Sequence, residues 1–168
     1  MPASVKVLEV QEVAADFHAR HSALAKTYCY RICRAAICPP FLARYAWHYP
    51  YPLEEQAMAL AAELVEGEHD FTSFAAVDPE RGREGAPVSN MRRIFSSDWE
   101  RQGDEFVYTV RGSGFLHHMV RNLVGTFILV GKGTLQVEDV VRILEARNRS
   151  AAGATAPASG LCLVNVEY

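Results

Sequence analysis

The chain has 168 residues, of which 49% are hydrophobic and 22% charged, and a formal net charge of −3. These values are those of an ordinary globular domain with a sizeable core, and they argue against indiscriminate nucleic-acid binding without excluding a local basic face. No stretch approaches eighteen consecutive apolar residues and no signal peptide is visible, so we expect no membrane span and a cytoplasmic location.

The first part of the chain predicts two strands, a helix and a loop. We expect a short strand at 5–10, and a second strand at 26–33, where alternation places two tyrosines and an isoleucine on one face. Apolar residues at helical spacing predict a helix at 53–65, which Gly67 would end. The segment 77–88 is rich in charge, glycine and proline, and we expect a mobile loop there.

The second part of the chain predicts a hairpin, two helices and a closing strand. In chain order these are the hairpin 91–101 with 105–111, the helices 115–130 and 137–146, a loop of small residues at 150–160, and the strand 161–168. Hairpins followed by helices indicate an α+β fold, in which an antiparallel or mixed sheet has helices packed on one face.

The four cysteines, at positions 29, 33, 38 and 162, contain no Cys-x-x-Cys pair. Without a secretory context a disulfide framework is not expected, and a zinc site would need tighter pairs of ligands. We therefore expect four reduced, mostly buried thiols and no metal. A Cys/His metal protein is the alternative, and it predicts bound zinc.

Two stretches carry side chains suited to RNA or to catalysis. In the first, His18 and Arg20 precede the strand that displays Tyr28 and Tyr30. Aromatic rings beside arginine often bind an unpaired base, although a core strand that buries its tyrosines has the same pattern.

The second stretch is GSGFLHHMVRNLVG, at 112–125. Apolar neighbours flank Arg121, so we expect this guanidinium to need a carboxylate partner. A structural ion pair within the domain is the alternative role. We expect His118, Asn122 and Gly125 to lie with Arg121, on the side of the helix opposite its apolar face.

Four blocks in chain order, FHARHSA with KTYCYRI, HDFTSF, GFLHHMVRNLVG and LEARNRSAAGATAPASGL, resemble the TruA-type tRNA pseudouridine synthases. The resemblance runs from Val5 to Tyr168 and implies the second, C-terminal half of that fold, so residues 1–168 would form one domain. It implies an enzyme that isomerises uridine to pseudouridine at positions 38, 39 and 40 in the anticodon arm of tRNA, with no cofactor and no metal. The family acts as a homodimer, and whether this chain alone dimerises is open.

The resemblance also implies roles for single residues. Tyr28 would stack on the target base and take part in catalysis, Arg121 would pair with a catalytic aspartate, and Leu161 would line the pocket. Arg20 and His18 lie in a block expected to contact RNA.

The catalytic aspartate of this family belongs to a Gly-Arg-Thr-Asp-x-Gly-Val-His type motif. No aspartate of this chain stands in such a context. We therefore expect the chain alone to be inactive. The alternative is a self-standing RNA-binding or scaffolding module without chemistry.

Overall fold

The computed structural model describes residues 2, 4–78 and 89–168. Within these residues the chain forms a six-stranded sheet and four α-helices. The strands are β1 (Ala25–Cys33), β2 (Trp47–His48), β3 (Gly67–Asp70), β4 (Met91–Gln102), β5 (Glu105–Gly112) and β6 (Leu161–Glu167), and the helices are α1 (Pro40–Ala43), α2 (Glu55–Glu63), α3 (Met119–Gly131) and α4 (Asp139–Ala146).

Strand β1 is the centre of the sheet. The strand order is β2-β1-β5-β4-β3, and β6 pairs with β1 as well. Along one edge β1 is antiparallel to β5, and along the other it is antiparallel to β6 and then parallel to β2 at its last two residues. The sheet is therefore mixed, which confirms the predicted α+β class.

The core lies between the sheet and helices α2, α3 and α4. Alternation in the strands turns Tyr30 and Ile32 of β1, and Tyr108 of β5, into this core, where none of the three has exposed surface. The ring of Tyr108 lies 5.4 Å from that of Phe127 of α3, and Trp99 stacks on Phe106 at 4.6 Å. Burial of these rings contributes much of the apolar stabilisation of the fold.

Helix α3 is enclosed on nearly all sides. Asn122 and Gly125, which the sequence places on the side opposite the apolar face, are nevertheless buried. The reason is the 150–160 loop, which packs over that side of the helix: a Cβ atom built on Gly125 would lie 1.7 Å from the Ala154 carbonyl oxygen. Only a glycine allows this close approach of two backbones.

Most predicted elements are confirmed, with helix ends that shift by a few residues. Helix α3 begins at Met119 because His118 adopts the left-handed conformation, with φ of 57°. The strand predicted at 5–10 is wrong: this segment pairs with no strand in the described part of the chain, and Leu8 is 90% exposed. Residues 79–88 of the predicted mobile loop lie outside the described residues. Among the described residues, no helix combines the length and the apolar character that crossing a bilayer takes.

Candidate active site

A cavity of about 360 Å³ opens where β1, the start of α3 and the start of β6 come together. Tyr28 of β1, Arg121 of α3 and Leu161 of β6 line it, together with Arg20 from the segment before β1. Four of the five residues singled out from the sequence thus share one cavity. Its volume lies within the range of roughly 300–1,000 Å³ that is usual for small-molecule sites.

Tyr28 is half-buried in the cavity wall. Its ring meets that of Phe115 edge to face, with centroids 5.1 Å apart and an interplanar angle of 84°. Burial raises the pKa of Tyr28 above its ordinary value, so the phenol is neutral at physiological pH. A neutral aromatic ring fixed at its edge is suited to stacking on an unpaired base.

Arg121 lies in the first turn of α3 and is partly exposed in the cavity. Its Nε donates a hydrogen bond of 2.7 Å to the Ala156 carbonyl oxygen, and the Ala156 N–H donates in return to the Arg121 carbonyl oxygen at 3.1 Å. Among the described residues Arg121 forms no ion pair. The Nε–H is thus used by a backbone carbonyl, which leaves the terminal nitrogens able to bind an anion, and the carboxylate partner of Arg121 stays a prediction.

His117 and His118 form part of the cavity wall, with their rings stacked 4.0 Å apart. Burial lowers the pKa of His118, and the nearby His117 and Arg121 lower it further. His118 is therefore neutral at physiological pH. Arg20 and Arg121 also line the cavity, and their guanidinium groups carry positive charge at this pH.

Asp78 also lines the cavity, although the sequence predicts only a mobile loop at 77–88. The preceding backbone is held against the cavity by His117: the Ala76 N–H donates to the His117 carbonyl oxygen at 2.9 Å, and His117 Nδ1 lies 3.0 Å from the Val77 carbonyl oxygen. No feature of the sequence marks this docking.

His18 does not line the cavity. Its Nδ1 accepts hydrogen bonds from the backbone N–H groups of Arg20 at 3.1 Å and His21 at 3.4 Å. The backbone N–H of His18 donates to Ser22 Oγ at 3.0 Å. The side chain therefore shapes the turn that carries Arg20 towards the cavity.

The cysteines are free thiols, and the prediction that most are buried is wrong. Only Cys33 is buried, while Cys162 is exposed because β6 is an edge strand. Within the described ranges no three His, Cys, Asp or Glu side chains gather as metal ligands would.

The chain belongs to the tRNA pseudouridine synthase family, whose model matches residues 61–168. The resemblance stated from the sequence is thereby confirmed. Three relatives named tRNA pseudouridine synthase A are similar over almost the whole chain. The protein of Solibacter usitatus is 50% identical over 168 residues, that of Halalkalibacterium halodurans 44% over 161 residues, and that of Moorella thermoacetica 44% over 169 residues.

These matches cover 100%, 96% and 100% of this chain, but 66%, 59% and 66% of the three relatives. The chain therefore corresponds to part of a protein of their size.

Proposed function

We propose that this chain supplies the tyrosine and arginine side of an active site that isomerises uridine to pseudouridine in the anticodon arm of tRNA. The observation that carries the proposal is the shared cavity of Tyr28, Arg121 and Leu161. Family membership supports tRNA as the substrate.

The chemistry assigns each residue a task. The reaction detaches the base of a flipped-out nucleotide and rejoins it through carbon, so the site must hold an unstacked base while it turns. Tyr28 offers one stacking face, and Leu161 with Phe115 excludes water from the base. Arg121 orients an anionic group by charge-assisted hydrogen bonds from its terminal nitrogens, with a carboxylate nucleophile as the expected anion.

We further propose that this chain alone does not form pseudouridine. No aspartate of the chain stands in the nucleophile motif of the family. Asp78 is the carboxylate among the described lining residues, and its sequence context, AAVDPE, differs from that motif. The complete site would then need a carboxylate from a segment outside this chain.

A fusion tests both statements. The part of the Solibacter usitatus relative that this chain does not span is joined to the chain, and pseudouridine formation is measured on unmodified tRNA. We expect turnover by the fusion and none by the chain alone. In the fusion, Arg121→Met should lower kcat/KM by about 100-fold or more, as the loss of an oriented charge-stabilising donor does in other enzymes.

Arg142→Met is the matched control, because Arg142 is exposed on α4 and pairs there with Asp139, one turn away, and it should leave turnover unchanged. Turnover by the chain alone would contradict the proposal, and loss of that turnover in Asp78→Asn would identify the nucleophile. A fusion that binds tRNA tightly without turnover would favour the alternative, an RNA-binding module without chemistry.

A further inference from the structure

We infer that Asn122 is a positioning residue for the reaction: it fixes the 153–160 loop on α3, and the loop in turn sets the direction of the Arg121 guanidinium. The catalytic meaning of this inference rests on the proposed function. Its structural part stands on contacts that are independent of any substrate.

The Asn122 side chain joins three separate segments of the chain. It has no exposed surface. Its Nδ2 donates a hydrogen bond of 2.7 Å to the Phe74 carbonyl oxygen, in the 3-10 turn Thr72–Phe74. Its Oδ1 accepts from the Thr155 hydroxyl at 2.6 Å and from an Arg149 terminal nitrogen at 3.1 Å. Helix α3, the turn before residue 75 and the loop are therefore tied at one amide.

The loop forms further hydrogen bonds with α3 on both sides of Asn122. The Gly153 N–H donates to Thr126 Oγ1 at 2.9 Å, and Thr126 Oγ1 donates to the Asn122 carbonyl oxygen at 2.9 Å. One turn towards the start of α3, Ala156 forms two hydrogen bonds with Arg121, and its carbonyl oxygen accepts one of them from Nε. A shift of the loop therefore moves the carbonyl oxygen that holds the guanidinium.

Loss of one hydrogen bond from a buried polar network of this kind destabilises the groups that remain. When one donor is removed, the remaining buried groups keep their desolvation penalty without full compensation. Thr155 belongs to this network but does not line the cavity, so a substitution there perturbs the network without removing a cavity side chain. Thr155→Val removes the hydroxyl at nearly constant shape, whereas Thr155→Ser keeps it.

Hydrogen exchange followed by NMR on the 168-residue chain tests the inference. The readouts are the Ala156 backbone N–H and the Arg121 Nε–H, whose resonance is assigned by its loss in Arg121→Lys. We expect Thr155→Val to accelerate exchange at both groups by about fivefold to tenfold over Thr155→Ser, as for the loss of one hydrogen bond. Amides of the β4–β5 hairpin should change by less than about twofold.

A second variant and a control complete the test. Arg149→Gln shortens the other side chain that donates to Asn122 Oδ1, so that its terminal nitrogen no longer reaches this oxygen, and it should accelerate exchange at the same two groups. Thr109→Val, on the sheet, should leave both unchanged. Unchanged exchange in both Thr155→Val and Arg149→Gln overturns the inference, and so does an equal acceleration across all amides, which would show a merely structural role.

The fusion with the Solibacter usitatus segment separates this result from the proposed function. There, Thr155→Val should lower kcat at least about tenfold with little change in KM, because a misdirected Arg121 affects the transition state more than binding. Altered exchange in the chain with an inactive unsubstituted fusion would support the positioning role while contradicting the proposed function. Unaltered exchange in the chain with an active fusion would support the proposed function and contradict the positioning role.

Discussion

Gly125→Ala is a direct perturbation of the contact between α3 and the loop over it. The added Cβ would lie 1.7 Å from the Ala154 carbonyl oxygen, and carbon and oxygen atoms do not approach below about 3.0 Å. The opposing atom belongs to the backbone, so no rotation of a side chain relieves the clash. The loop must move away from the helix by about 1.3 Å or more.

This displacement sets the expected magnitude. It breaks the hydrogen bonds from Gly153 N–H to Thr126 Oγ1 and from Ala156 N–H to the Arg121 carbonyl oxygen, each with a net value of about 1 kcal/mol. Overpacking adds about 2 kcal/mol, and the better helix propensity of alanine returns about 1 kcal/mol. We expect the free energy of unfolding to fall by about 3 kcal/mol.

Urea denaturation followed by far-UV circular dichroism measures this loss. With a slope of about 2 kcal/mol/M, the midpoint should fall by about 1.5 M. Gly114→Ala is the matched control, because a Cβ there would meet its nearest atom at 3.8 Å, and its effect should stay within about 1 kcal/mol. A loss below about 1 kcal/mol in Gly125→Ala would refute the seating of the loop on α3.

Two pH effects follow from the shifted pKa values. Burial raises the pKa of Tyr28, so the contribution of Tyr28 to the free energy of unfolding is complete below the ordinary tyrosine pKa of about 10 and falls as pH rises above it. Tyr28→Phe should therefore reduce the decline of the urea midpoint between pH 9 and 11. An unchanged decline would contradict this prediction. The Thr72 hydroxyl and N–H, aided by Arg147, lower the pKa of Asp70, so Asp70→Asn should lower the urea midpoint at pH 7. The difference between the variant and the unsubstituted chain should vanish as pH falls towards 2. A difference that persists at pH 2 would show that the ionised Asp70 carboxylate is not its cause.

The long elements of the fold could be predicted from the sequence, because their periodicity is imposed by the burial of one face. Strand β1 and the β4–β5 hairpin alternate, and α2 has apolar residues at helical spacing. Strands β2 and β3, with two and four residues, are too short to show a period. The apolar residues at 5–10 show why a short pattern alone fails: a strand needs a partner edge, and residues 4–78 and 89–168 provide none there.

The candidate site was predictable only in part. Tyr28, Arg121 and Leu161 stand in recognisable blocks, and they do meet in one cavity. The burial of Asn122 was not predictable, because the residues that cover it come from a distant loop whose small side chains show no periodicity. The place of Asp78 in the cavity was not predictable either, because the contacts from His117 that hold its segment end on backbone groups of Ala76 and Val77 and set no requirement on their side chains.

The pairing of β6 with β1 has a consequence for the order in which the molecule is made. Leu161 lies opposite Tyr30, a separation of more than 130 positions along the chain, and Leu163 lies opposite Tyr28. Contacts between such distant residues form late in folding, because the intervening chain must first be ordered. During synthesis, Tyr28 leaves the ribosome more than 130 positions before Leu161, so it lacks this wall of the cavity until β6 has been made. Ligand binding in this cavity therefore requires that β6 has been made and has paired with β1.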